Sequence, residues 1–302
     1  MAQQSNKNFA IPLAFVGLMF FTLGFALGIN SFLIPVLKES LNLSSGVAYL
    51  LLAATFIPFI IFGYPASRTI AAIGYKRTMA ISFVIFALAF VVFVLSAKNE
   101  SFILFLAASF VSGTANAYLQ ASVNPYITIL GPIDSAARRI SMMGICNKLA
   151  WPVAPLFFAA VVPDSTNVQI ADLYLPFYII IGVFVLLSII SLMAPLPEVK
   201  ATGEDESSAD DCPYAASKTS IWQFPHLLLG VLALFVYVGV ETLALSTAID
   251  YATAVGLPSP DRYAWIPSIG MVVGYICGIV LIPKYLSQDG AMRICASLGV
   301  VG

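Results

Sequence analysis

The sequence predicts an all-α protein that spans a lipid bilayer many times, and three observations predict it. Hydrophobic residues make up 60% of the 302 residues and charged residues only 10%, against about 45–50% and 25% in soluble domains. The apolar residues gather in long runs, many near the roughly 20 residues that a helix needs to cross a hydrocarbon layer. The basic residues fall mostly in alternate gaps between those runs. A net charge of −1 gives no bulk attraction for nucleic acid.

Taken in order, the first run covers about 10–37. It exceeds the roughly 7–15 apolar residues of a secretory signal core, so it reads as a retained first helix. Further runs follow at about 46–70, 78–97, 101–130, 139–162 and 173–194. A polar stretch, Pro195 to Phe224, then brings Glu204, Asp205, Glu206, Asp210 and Asp211 together; such a composition buries too little apolar surface to order itself. Beyond it come runs at 225–254 and 263–284, and a ninth begins near Ala291. The expected organisation is an N-terminal six-helix bundle over 1–194, a cytoplasmic acidic linker over 195–224, and the start of a second bundle over 225–302. Helices 7, 8 and part of 9 fall in that last segment, so on six-plus-six arithmetic the second bundle is expected to be cut short at Gly302.

With the N-terminus in the cytoplasm, Lys7, Arg68, Lys76, Arg77, Arg138, Arg139, Lys200, Lys218, Lys284 and Arg293 lie inside, and only Lys38, Lys98 and Arg262 outside. That is the positive-inside pattern. A weak repeat supports matched halves: an offset of about 216 residues carries Gly74-Tyr75-Lys76-Arg77 onto Gly290-Ala291-Met292-Arg293. The cysteines Cys146, Cys212, Cys277 and Cys295 show no metal or redox spacing and read as packing residues. No cofactor, metal site or enzyme active site is expected: no nucleophile, metal cluster or paired acid and base stands out, and His226 is the single histidine.

Polar groups in a bilayer line a wet path, bond to a neighbouring helix, or face a packed interface. In the fourth run Asn116, Gln120 and Asn124 recur every four residues and share one helix face. Carboxamides both donate and accept, which suits the uncharged hydroxyls of a sugar; equally, such amides bridge helices in membrane bundles. Spacing alone leaves both open. The first run ends in Asn30 and Ser31 after Gly24 and Gly28, a small-xxx-small face expected to let another helix approach closely. The fifth holds Asn147, Lys148 and Trp151 before Pro152 and Pro155, a large aromatic one turn from an amide. Lys148 lies deep in that helix, about 15 Å along it, and Glu241 is the deeper of the two acidic residues inside the seventh run. Either faces the central path, or an ion pair between them locks two helices.

The segment Tyr118-Leu119-Gln120-Ala121-Ser122-Val123-Asn124-Pro125-Tyr126-Ile127, followed by Leu130-Gly131-Pro132 and Ala136-Ala137-Arg138-Arg139, resembles the fucose/proton symporter family of the major facilitator superfamily. Asn30 to Lys38, Gly74 to Arg77 and Tyr237-Val238-Gly239-Val240-Glu241-Thr242 resemble family segments too. The resemblance implies the major facilitator fold, two six-helix bundles rocking about a midplane site. Fucose carriers have an Asp where Ser31 stands and a Glu where Gln120 stands; Gln120 and Glu241 instead resemble the glucose/galactose branch. Two departures are Tyr275 after Gly274, where the family commonly has Arg, and Lys148 where a small residue is usual.

The expectation is therefore a permease for a neutral hexose such as glucose or galactose, with fucose or N-acetylglucosamine, or a non-transporting sugar sensor, as alternatives. Asn30, Gln120, Asn124, Asn147 and Trp151 are the expected sugar contacts, and Glu241 and Lys148 the candidates for coupling a proton. The expected setting is a bacterial inner membrane, where the protein works as a monomer in the lipid bilayer.

Overall fold

The computed structural model describes residues 10–131, 135–162, 168–194, 196, 218, 220–258, 263, 265–282 and 284–301. Most of the expected linker, and Cys212 within it, lies outside the described residues. Every regular element among the described residues is helical. Among the described residues nine helices follow the apolar runs closely: α1 Ala10–Ser40, α2 Leu50–Ile73, α3 Tyr75–Lys98, α4 Phe102–Ile129, α5 Ala136–Val161, α6 Tyr174–Met193, α7 Pro225–Ala254, α8 Trp265–Leu281 and α9 Gln288–Val301. Among the described residues six candidate spans, from Ile11 to Met193, are long and apolar enough to cross a membrane. The chain divides into two compact units, Met1–Val199 with Gly278–Gly302, and Lys200–Cys277.

In the first unit, local chemistry sets the helix ends. A short helical turn, Ser45–Ala48, leads into α2, with the Ser44 hydroxyl accepting from the Val47 amide. Gly74 separates α2 from α3 at φ 85°, a backbone region that side chains disfavour. The Asn99 side chain donates to Leu95 O at 2.7 Å where α3 stops. A 3₁₀ turn, Ile170–Leu173, opens α6 with a reciprocal cap between Gln169 and Asp172.

Two kinds of contact hold these helices. Phenylalanines form a continuous chain: Phe86 of α3 stacks on Phe184 of α6 at 4.7 Å, Phe177 of α6 meets Phe158 of α5 edge-on at 6.1 Å, and Phe158 stacks on Phe32 of α1 at 4.4 Å. Since lipid tails are as apolar as these rings, the gain comes from close packing and ring geometry rather than from escaping water. Small residues provide the second kind. A Cβ added to Gly24 would overlap Asn147 O, one on Gly28 would lie 2.5 Å from Trp151 O, and one on Gly113 would overlap Thr55 O. Thus α1 crosses α5, and α4 crosses α2, backbone against backbone. Gly24 and Gly28 pack as their spacing predicts. Prolines add to the first crossing, because Pro155 has no N–H to offer Trp151 O, and it is this carbonyl that faces Gly28.

Outward, α6 exposes Leu175, Ile179, Val183, Leu186 and Met193, as a lipid-facing surface requires. Cys146, Cys277 and Cys295 are free thiols.

Candidate functional site

Hydrogen bonds from two neighbouring helices, α4 and α5, meet α1. Asn30 is buried; its Nδ2 donates to Ala26 O at 3.2 Å, and its Oδ1 accepts from the Ser109 hydroxyl of α4 at 3.1 Å. On the other flank, Asn147 of α5 donates through Nδ2 to Phe20 O of α1 at 3.1 Å. The structure thus brings Asn30 to α4 and Asn147 to α1. Ser31 turns back on its own helix, donating to Leu27 O at 3.2 Å.

Along α4 the three amides do not share one environment. Asn116 is fully buried, Gln120 half-buried and Asn124 exposed. The cause is helical geometry: a step of four residues overshoots a 3.6-residue turn by about 40°, so two steps swing the amide direction through about 80°. The stripe winds out of the bundle, and its open end carries Gln120 and Asn124. From Phe102 to Ile129 the helix holds no charged residue. Trp151 and Lys148 of α5 are half-buried.

Several polar residues near this stripe carry no signal of their own in the sequence. Ser109 and Ser112 look like ordinary helix serines, yet with Asn116 they make a buried polar edge on α4; their spacing of three and four residues is the signal that could have found them. Arg139, grouped above with the cytoplasmic basic residues, is nearly buried. It donates through Nε to Ile127 O at 3.0 Å, and through its terminal nitrogens to Thr128 O at 2.8 Å and the Ser135 hydroxyl at 2.7 Å. A cation on the last carbonyls of α4 meets the negative end of that helix and satisfies acceptors with no partner inside it. It clamps α4 to the start of α5.

In the second unit Glu241 is half-buried on α7. Tyr237 lies one turn earlier on the same helix, and Tyr275 of α8 is close enough to both to interact electrostatically. A separate apolar groove between α3 and α6 is lined by Val84, Leu88, Val91, Ile181, Val185 and Ser188. Its polar member, Ser188, already donates to Ala80 O, so the groove offers a sugar little to bind.

Comparison with known proteins places this architecture. The profile of the Major Facilitator Superfamily matches residues 16–302. A glucose/galactose transporter of Brucella abortus (biovar 1, strain 9-941) is 30% identical, the match covering 98% of this chain and 73% of that protein. The L-fucose-proton symporter of Escherichia coli K12 is 23% identical, over 82% of this chain and 60% of that one. Among solved structures, the Major Facilitator Superfamily transporter FucP in its outward conformation superposes with a TM-score of 0.70 at 23% identity, over 90% of this chain and 70% of that one. At that identity the superposition speaks for the fold.

Proposed function

The chain belongs to the Major Facilitator Superfamily, and on that footing we propose that it is a secondary active permease for a neutral hexose such as glucose or galactose, working by alternating access with proton coupling. One observation carries the choice of a neutral sugar: the open end of the α4 stripe presents the amides of Gln120 and Asn124 on a helix free of charge. An amide answers a hydroxyl in both its roles, as donor and as acceptor. An uncharged ligand needs no counter-charge. The related glucose/galactose transporter supports the same reading.

In this reading Gln120 and Asn124 take sugar hydroxyls, and Trp151 offers its ring to the apolar face of the sugar. Asn147 and Asn30 complete the wall and fix α5 and α4 against α1 through the bonds described above. The coupled proton falls to Glu241, with Lys148 the second candidate. The chain is organised as a first bundle over 1–194, an acidic linker over 195–224 and a second bundle from 225. Its N-terminus is cytoplasmic, on the positive-inside pattern, and it works as a monomer in a bacterial inner membrane.

The test is uptake of labelled glucose by liposomes holding the full-length protein, with and without an inward proton gradient, and with unlabelled galactose, fucose and N-acetylglucosamine as competitors. Saturable uptake, competition by galactose and accumulation that needs the gradient are expected. Uptake indifferent to the gradient contradicts proton coupling; competition by fucose alone contradicts the choice of glucose or galactose.

A further inference from the structure

Hydroxyls on these helices follow a rule. Thr22 donates to Leu18 O, Thr55 to Leu51 O, Ser96 to Val92 O and Ser122 to Tyr118 O, each four residues back and at 2.7–2.9 Å. Ser109 instead reaches across to Asn30. Ser112 does neither. It is 1% exposed and its hydroxyl has no hydrogen-bond partner. One turn along, Asn116 is 0% exposed; its Nδ2 donates to Ser112 O at 3.3 Å, while its Oδ1 has no partner.

A free hydroxyl and a free amide oxygen, both fully buried and one turn apart on the same face, define what would satisfy them. The occupant must accept from Ser112 or donate to it, donate to Asn116 Oδ1, carry no charge, and be small enough to sit where neither side chain meets solvent. We infer that Ser112 and Asn116 hold one buried water between α4 and its neighbours in the first unit. A water supplies two donors and two acceptors and is held in protein interiors by groups of this kind. A cation fits worse, because α4 has no charged residue to balance it, and an unbalanced charge in a low dielectric is strongly disfavoured. A sugar is too large for a fully enclosed place.

The water would complete a polar line along α4 from half-buried Gln120, through Asn116 and Ser112, to Ser109 and then across to Asn30 of α1. On that line the direct tie from α4 to α1 is the Ser109 bond to Asn30. The inference does not depend on which solute is carried.

It is tested by a density map of the full-length protein sharp enough to show ordered water, collected once in sodium buffer and once with choline replacing sodium. The expected result is a rounded peak in both maps, about 2.7–3.2 Å from Ser112 Oγ and Asn116 Oδ1. The double variant Ser112→Ala with Asn116→Leu is expected to lose the peak. The inference is overturned by a wild-type map with no peak and Ser112 turned onto its own helix, by a peak that vanishes without sodium, or by one that persists in the double variant. Because the wild-type maps decide on their own, a double variant that fails to fold leaves the result unaffected.

Discussion

Helix α1 is held on two flanks by different physics. Against α5 it presents Gly24 and Gly28, and the fit is so close that a methyl group has no room beside Asn147 O. Against α4 the tie is the hydrogen bond between Asn30 and Ser109, continued along α4 by polar side chains. Shape dominates the first flank, joined there by the single Asn147 bond to Phe20 O, and gives nothing when slightly displaced. Polar groups hold the second, and these can exchange partners. A transporter needs rigid pairs that move as bodies as well as contacts that rearrange, and this difference shows how one helix can supply both.

The comparison can be broken most sharply at the glycine flank. Gly24→Val should destabilise the detergent-solubilised protein by about 3 kcal/mol or more, because backbone and not a flexible side chain stands in the way; thermal or denaturant unfolding against wild type measures it. Next in size is the clamp at the end of α4. Arg139→Met removes charged hydrogen bonds to Ile127 O and Thr128 O, an expected loss of about 2–3 kcal/mol. Arg139→Lys should recover only part of it, since an ammonium lacks the planar fork. If Arg139→Met unfolds no more easily than wild type, α4 is held along its length and not by its end.

A smaller effect is expected on the polar flank. A double-mutant cycle with Asn30→Ala and Ser109→Ala should give a coupling of about 0.6–1.7 kcal/mol, the range of such bonds between membrane helices. A coupling equal to the glycine penalty would erase the distinction between the flanks. Least of all should come from Gly182 in α6, where an added Cβ meets nothing within 4 Å. Gly182→Ala should be neutral or stabilise by up to about 1 kcal/mol through helix propensity alone.

Much of this was legible in the sequence for reasons that can be named. Apolar runs fix helix number and limits because the bilayer leaves a buried backbone no alternative. The spacing of Gly24 and Gly28 announces a close crossing, since small residues four apart share a face whatever the partner. The amide stripe was visible too, but not its gradient: four-residue spacing reads as one face, while the accumulated rotation takes Asn116 inside and leaves Asn124 outside. Which amides face inward depends on where the neighbouring helices lie, and local pattern does not encode that. Asn30 illustrates the same limit. Its chemistry was plain, but its partner, Ser109, is 79 residues away and indistinguishable by type from serines that only bond back to their own helix. Arg139 looked like a topological marker because basic residues near helix ends usually are; its role as a cap shows only in the fold, where the guanidinium beside Gly131 reaches Ile127 O and Thr128 O.

The central claim is that Gln120 and Asn124 of α4 bind the solute while Asn30 and Asn147 tie α1 to its neighbours. The most direct test is the saturation curve of glucose uptake by Gln120→Ala in proteoliposomes, with its unfolding temperature measured alongside. The account predicts a half-saturation concentration raised on the order of tenfold, one lost polar contact, in a protein that unfolds like wild type. An unchanged half-saturation concentration with a lowered unfolding temperature would contradict it, placing Gln120 among the groups that hold the bundle together.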